Sequence, residues 1–152
     1  MKKVYLVILM LFLFTGLYAQ YEHGEAPLAK GKRQVNFGFG FSDWGIPLYG
    51  SLDFAVHKDV TVTPEMHMVL ANNFRMGIMA KADYHWNYLI GIPSNWDFYA
   101  GARLGFNFFN GFDPIAGIEV GGRWYWNDEW GLNVEFGGGT GYSATFGVSK
   151  KL

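Results

Sequence analysis

Residues 74–86 read Phe-Arg-Met-Gly-Ile-Met-Ala-Lys-Ala-Asp-Tyr-His-Trp, and this stretch decides the fold of the chain. Every even-numbered position in it is apolar or aromatic, whereas the charged side chains and the histidine all occupy odd-numbered positions. Successive side chains of a β-strand point to opposite faces of the sheet. The alternation therefore predicts a strand with one apolar face and one charged face.

The same alternation recurs along the rest of the chain, from residue 33 onwards. Eight strands are predicted, at 33–41, 48–56, 60–71, 74–86, 96–108, 115–126, 130–137 and 143–152. The connections are rich in Gly, Asn, Asp and Pro, which favour turns. No helical period appears beyond residue 20. The pattern indicates an all-β protein, and we predict an eight-stranded antiparallel up-and-down transmembrane β-barrel over residues 33–152.

The two faces of the predicted strands differ in bulk, and bulk indicates which face lies inside. One face is crowded with Phe, Trp, Met and Leu and carries a single charge, Lys150, whereas the other is rich in glycine and charge. The interior of an eight-stranded barrel is only just wide enough for side chains. We therefore expect the apolar face to contact lipid, where a charge is costly. The alternative is a soluble lipocalin-like barrel or sandwich with its apolar face inside.

The inward face predicts a lumen charge network. Its members are Asp53, Glu65, His67, Arg75, Lys81, Asp83, His85, Asp97, Arg103, Glu119, Arg123 and Glu135. With Lys151, the face carries six acids against five bases, close to balance, which favours a salt-bridged filling because buried charges must be paired. A buried acid–base site or a narrow proton or ion path is the functional alternative.

Catalytic and metal sites find little support in the sequence. The short turn at 72–73 pairs His67 with Ile78 or Met79, which leaves His85 about seven residues away along the sheet. The candidate nucleophiles Ser51, Ser143 and Ser149 share no motif with either histidine. We therefore predict no catalytic residues, no metal, no cofactor and no enzymatic activity.

Tryptophan placement predicts an aromatic belt at one rim. In an up-and-down barrel, alternate connections lie at the same end, and five of the six tryptophans flank two such connections. These belt residues are Trp86, Trp96, Trp124, Trp126 and Trp130. Tryptophan is enriched at membrane interfaces. We expect this rim, which also holds both chain ends of the barrel, to face the periplasm.

The first residues predict export. Lys2 and Lys3 precede an uncharged run over 4–18, and Ala19 offers a cleavage position, so residues 1–19 indicate a cleaved signal peptide. The alternative is an N-terminal membrane anchor, for which the run is short. Residues 20–32 lack periodicity and are interpreted as a flexible N-terminal tail. The chain has no cysteine, so no disulfide can form.

In segments 74–86, 95–106 and 117–137 the chain resembles the small outer-membrane β-barrel proteins of the Bacteroidota, which have OmpX-like size and are mostly uncharacterised. The resemblance implies a porin-like membrane protein in the outer membrane of a Gram-negative bacterium. Its implied partners are outer-membrane lipid and lipopolysaccharide, with the barrel-assembly machinery and periplasmic chaperones during biogenesis.

We predict a monomer with a structural or envelope-interaction role. The net charge of −1 gives no basic surplus for nucleic acid. Three alternatives stay open: a lipid-modifying outer-membrane enzyme of the acyltransferase or deacylase type, a narrow channel, and a soluble lipocalin-like binding barrel.

Overall fold

The computed structural model describes residues 24–42, 45–70, 75–108, 111–139 and 142–152, without the side chain of Tyr142. The predicted signal peptide (1–19), the first residues of the predicted tail (20–23) and the predicted turn at 72–73 lie outside the described residues.

Eight strands and one short helix follow one another along the described chain. They are β1 (Arg33–Ser42), β2 (Ile46–His57), β3 (Val60–Leu70), β4 (Arg75–His85), α1 (Asn87–Ile90), β5 (Trp96–Phe108), β6 (Phe112–Tyr125), β7 (Trp130–Gly138) and β8 (Tyr142–Lys151). Each strand pairs antiparallel with the next, and β8 pairs with β1, so the sheet closes on itself. The predicted eight-stranded antiparallel up-and-down barrel is confirmed. No helix in the described ranges is long and apolar enough to span a membrane.

The side chains alternate between the outside and the lumen as the sequence predicts. On the outside, Ile118 and Leu104 are 74% and 66% exposed. On the inside, Asp97 and Arg103 are 0% and 1% exposed. The interior therefore holds the charges, and the exterior is a continuous apolar surface, which is the reverse of a soluble barrel.

Strand β6 begins earlier than the sequence predicts. Its first residues pair with the end of β5, as Phe112 with Phe108 and Pro114 with Phe106. The predicted strand starts at residue 115, so Pro114 falls in the predicted connection, where proline is common. Proline is nevertheless tolerated where that N–H is not needed by the ladder, and the hairpin therefore extends three residues further than predicted.

Helix α1 occupies a connection that the sequence indicates only as a loop. It begins after Trp86 and ends at Gly91, whose left-handed backbone (φ 60°) favours glycine. The buried Asn87 side chain fixes it to β5: Nδ2 donates to Trp96 O at 2.5 Å, and Phe98 N donates to Asn87 Oδ1 at 3.2 Å. Two bonds from one amide therefore hold the helix against the end of the barrel.

Residues 24–32, the described part of the predicted tail, lie against the barrel. Ala26 and Leu28 are buried. Gly31 N donates to Ala55 O at 2.8 Å, and Ala55 N donates to Lys32 O at 3.1 Å. These bonds continue the ladder between β1 and β2 beyond its predicted start. The described part of this segment therefore contacts the barrel through its backbone, and the flexibility of the tail stays a prediction.

Candidate functional site

The lumen side chains form two groups of ion pairs. The first, the Arg123 cluster, comprises Asp53, His85, Asp97 and Arg123. The Arg123 guanidinium lies 2.8 Å from Asp53 Oδ2 and 3.2 Å from Asp97 Oδ2. His85 Nδ1 lies 2.7 Å from Asp97 Oδ1, and its Nε2 lies 3.0 Å from Thr61 Oγ1. One arginine therefore bridges two carboxylates, one of which also holds a histidine.

The second group, the Lys81 cluster, comprises Glu65, Lys81, Arg103, Glu119 and Glu135. Lys81 Nζ lies 2.7 Å from Glu135 Oε1, 3.3 Å from Glu119 Oε1 and 3.5 Å from Glu65 Oε2. Arg103 pairs with Glu119 and lies 4.0 Å from Glu135 Oε2. Three carboxylates thus share two cations, and all five groups are buried.

Several bonds cross the lumen between strands that are not neighbours. Tyr49 Oη on β2 donates to Asn133 Oδ1 on β7 at 2.5 Å, and Tyr125 Oη on β6 donates to Gln34 Oε1 on β1 at 2.5 Å. Tyr99 Oη on β5 donates to Glu135 Oε1 on β7 at 2.9 Å. The uncharged members of these pairs were missed by sequence reasoning that looked for charges, although their parity places them on the inward face; Glu135 alone belongs to the predicted network.

Lumen glycines lie where the largest inward side chains need room. A Cβ at Gly121 would overlap the Tyr99 ring, and a Cβ at Gly147 would overlap the Tyr49 hydroxyl. In the same way, a Cβ at Gly77 would come within 2.7 Å of His67 Cε1. These three glycines therefore have a packing role, because each of them leaves room for part of an aromatic side chain from another strand.

Of the twelve predicted network residues, eleven are buried and Arg75 is half-buried near the end of the lumen opposite to Lys151. Within the predicted network, the buried charges are therefore six acids against three bases, Lys81, Arg103 and Arg123, because Arg75 and Lys151 both lie at ends. This is less balanced than the sequence count of six against five. Neither carboxylate oxygen of Asp83 has a hydrogen-bond partner among the described residues.

The two lumen histidines lie far apart. His67 pairs in register with Gly77, one or two residues from the predicted partner, and His85 lies eight residues further along β4. His67 Nε2 is 2.9 Å from Asn107 Oδ1, so each histidine has its own partners. Within the described ranges, no three His, Cys, Asp or Glu side chains are grouped to hold a metal ion.

The candidate serines bond to groups other than the histidines' partners. Ser51 Oγ accepts a hydrogen bond from Asn36 Nδ2 at 3.1 Å, and Ser149 Oγ accepts one from Asn133 Nδ2 at 2.9 Å. Ser143 is exposed, and its hydroxyl lies 3.4 Å from Phe41 O. Ser51 and Ser149 therefore take part in the hydrogen bonding of the inward face. None of these three contacts joins a candidate serine to a histidine.

The five belt tryptophans all lie at one end of the barrel, here called the terminal rim. This rim comprises the ends Arg33 and Lys151, the turn 58–59 and the connections 86–95 and 126–129. Trp96 pairs in register with Trp124, with ring centroids 6.3 Å apart. Trp86 and Trp126 are exposed, and Trp130 is half-buried.

Three solved structures are similar to this chain over most of their length and of its own. The N-terminal β-barrel domain of Pseudomonas aeruginosa OprF is similar with a TM-score of 0.67 at 14% identity, covering 81% of this chain and 98% of that one. A de novo designed transmembrane β-barrel gives 0.64 at 18% identity, covering 81% and 97%. Neisserial surface protein A gives 0.58 at 14% identity, covering 80% and 95%.

No family model and no curated protein matches the sequence. At these identities, the structural likeness shows the fold alone. The chain therefore has the closed eight-stranded barrel fold of small outer-membrane proteins. Its charged side chains face the lumen, and its apolar side chains face outward. The contacts described in its lumen are ion pairs and hydrogen bonds between polar side chains.

Proposed function

We propose that this chain is an integral outer-membrane β-barrel with a filled polar lumen, and that its role is structural or an interaction within the envelope, without catalysis. The observation that carries the proposal is the outward exposure of apolar side chains on all eight strands. Soluble monomers seldom expose apolar patches beyond a few hundred Å². A bilayer removes this cost because lipid replaces water around the barrel.

The dimensions of the strands support membrane insertion. They are 9 to 14 residues long, and a tilted membrane strand needs about 9–11 residues. Closure between β1 and β8 pairs the backbone groups that an open sheet would expose to hydrocarbon. Both features suit a barrel that crosses a bilayer.

The cross-lumen bonds support a closed interior rather than a channel. They link β2 with β7, β6 with β1 and β4 with β7, and their partners are buried. A mobile ion would have to break charge-assisted bonds in the Lys81 cluster, which are among the stronger hydrogen bonds in proteins.

We further infer the setting that the sequence predicts. The protein is exported through a signal peptide cleaved after Ala19 and is monomeric in the outer membrane of a Gram-negative bacterium, among the OmpX-like barrels of the Bacteroidota. The terminal rim faces the periplasm, with the belt tryptophans at headgroup level. Its partners are outer-membrane lipid and lipopolysaccharide, with assembly machinery and periplasmic chaperones during biogenesis.

Membrane fractionation with heat-modifiable gel mobility tests the proposal. The folded protein should sediment with outer membranes, require detergent for extraction and migrate differently before and after boiling. Recovery from the periplasm without detergent would refute it in favour of a soluble barrel. A change in lipid A composition between wild type and the variants Ser51→Ala, Ser149→Ala and His85→Ala, measured by mass spectrometry, would instead indicate a lipid-modifying enzyme.

A further inference from the structure

Helix α1 presents an apolar surface at the terminal rim. Tyr88, Leu89 and Ile90 are 46%, 67% and 52% exposed, although the helix backbone is fixed through the buried Asn87. This helical turn therefore differs from a polar, mobile loop, because its backbone is fixed and it carries three consecutive apolar side chains in exposed positions. They lie in the connection between β4 and β5, where the neighbouring Trp86 and Trp96 are also exposed.

A cation is held at the edge of this apolar turn. Lys58 Nζ lies 4.3 Å from the centroid of the Tyr88 ring, and the lysine side chain is half-exposed. The turn that carries Lys58 is joined to the start of the α1 connection, because His85 N donates to Asp59 O at 2.8 Å. Lys58 also lies 3.8 Å from Asp59, whose side chain is largely covered. The ammonium group is therefore positioned by both connections.

The same combination of a cation over an aromatic ring recurs around the rim. Arg33 lies over Phe54 at 5.5 Å, and Lys150 lies over Trp130 at 5.1 Å. The bases of this rim are Lys30, Lys32, Arg33, Lys58, Lys150 and Lys151. Long basic side chains beside an apolar surface carry their charge to the polar side of a membrane interface.

We propose that Lys58, Tyr88 and the turn Leu89–Ile90 form a binding site for an anionic phospholipid of the leaflet around the terminal rim. The Lys58 ammonium pairs with the headgroup phosphate, and Leu89 and Ile90 contact the first part of the acyl chains. The occupant follows from charge complementarity and from continuity with the lipid-facing surface. The inference rests on the proposed function because it requires the barrel to lie in a membrane.

Lipid retention measured by native mass spectrometry tests the site. The folded protein in detergent is titrated with dioctanoyl phosphatidylglycerol and, separately, with dioctanoyl phosphatidylcholine. Wild type should retain phosphatidylglycerol preferentially. Lys58→Gln should weaken its retention about fivefold, the effect of one basic residue near an anionic lipid surface. Leu89→Ser with Ile90→Ser should weaken retention of both lipids.

Lys30→Gln is the matched control, since Lys30 is exposed near the same rim and its loss removes the same charge. It should leave retention unchanged. Equal losses in Lys58→Gln and Lys30→Gln would overturn the proposal in favour of diffuse charge attraction. Displacement of the lipid by excess inorganic phosphate would overturn it in favour of a free-anion site.

Heat-modifiable mobility of the same samples separates this inference from the proposed function. Samples that shift on boiling have a folded barrel, so a folded wild type that shows no preference for phosphatidylglycerol refutes only the lipid site. Extraction of wild type without detergent would refute the membrane barrel itself, whatever lipids it retains.

Discussion

Lys81 on β4 and Glu135 on β7 meet across the lumen, with Nζ and Oε1 2.7 Å apart. The two strands are not neighbours in the sheet, so this ion pair ties opposite walls of the barrel together. Glu135 Oε1 also accepts the Tyr99 hydroxyl at 2.9 Å. Glu135 Oε1 on β7 therefore binds both the Lys81 ammonium group from β4 and the Tyr99 hydroxyl group from β5.

Replacing the cation of the Lys81 cluster should destabilise the barrel strongly. Lys81→Met leaves three buried glutamates with Arg103 as the remaining cation of the cluster, and breaking a buried pair costs about 3–5 kcal/mol. The free energy of unfolding should be measured by urea titration in lipid vesicles, followed by tryptophan fluorescence. Lys30→Met, at an exposed position, should change it by less than about 0.5 kcal/mol. Equal stabilities of the two variants would contradict a structural role for the cluster.

A methyl group at Gly121 should disturb the lumen because it would overlap the Tyr99 ring. Overpacking of this kind costs about 1–3 kcal/mol, so Gly121→Ala should lower the free energy of unfolding in the same assay. Gly50→Ala is the matched control, because no atom lies within 4 Å of a Cβ at that outward position. A loss as large in Gly50→Ala would show that backbone effects, and not the Tyr99 contact, cause the destabilisation.

An arginine on the outward face should be costly in proportion to its depth. Ile118 pairs with Ala102 near the middle of β5 and β6, whereas Val56 lies next to the last residue of β2. In a bilayer, Ile118→Arg should cost about 2–4 kcal/mol and Val56→Arg about 0–1 kcal/mol. Refolding yield and unfolding free energy in vesicles measure both. A soluble barrel would show no such depth dependence, so similar costs at the two positions would count against insertion.

The filled lumen should not conduct ions. Tyr49 and Asn133 bridge β2 and β7 at 2.5 Å, and the two ion-pair clusters occupy the interior beside this bond. We therefore expect no discrete current steps when the purified protein is added to planar bilayers, with a general porin in the same bilayer as the positive control. Reproducible steps that disappear after heat unfolding would establish a channel instead.

The sequence of each strand was sufficient to predict its two faces and its place, although β6 begins at Phe112 and not at the predicted residue 115. In β4, the alternation from Met76 to Tyr84 identifies the outward residues, and the register of β3 with β4 differs from the predicted one by one or two residues. The position of the tryptophans at one rim follows from the up-and-down order alone. These properties are local because side-chain direction in a strand depends only on the parity of the residue.

The partners in the lumen could not be predicted in the same way. Lys81 and Glu135 are separated by 54 positions, and which inward residues meet depends on the tilt and stagger of all eight strands together. The contact of residues 24–32 with the barrel is also a tertiary property, because the backbone bonds of Gly31 and Lys32 need Ala55 of β2. Helix α1 likewise needs the β5 backbone, which accepts and donates the two bonds of Asn87.

By itself, therefore, the sequence determined an eight-stranded barrel, the inward and outward sets of residues and the rim that carries the tryptophans. Only the tertiary structure decided which charges pair, that the buried acids outnumber the buried bases, and where Lys58 meets Tyr88. The physical reason is that alternation is encoded one residue at a time, whereas contacts across the lumen and around the rim arise only when the sheet closes.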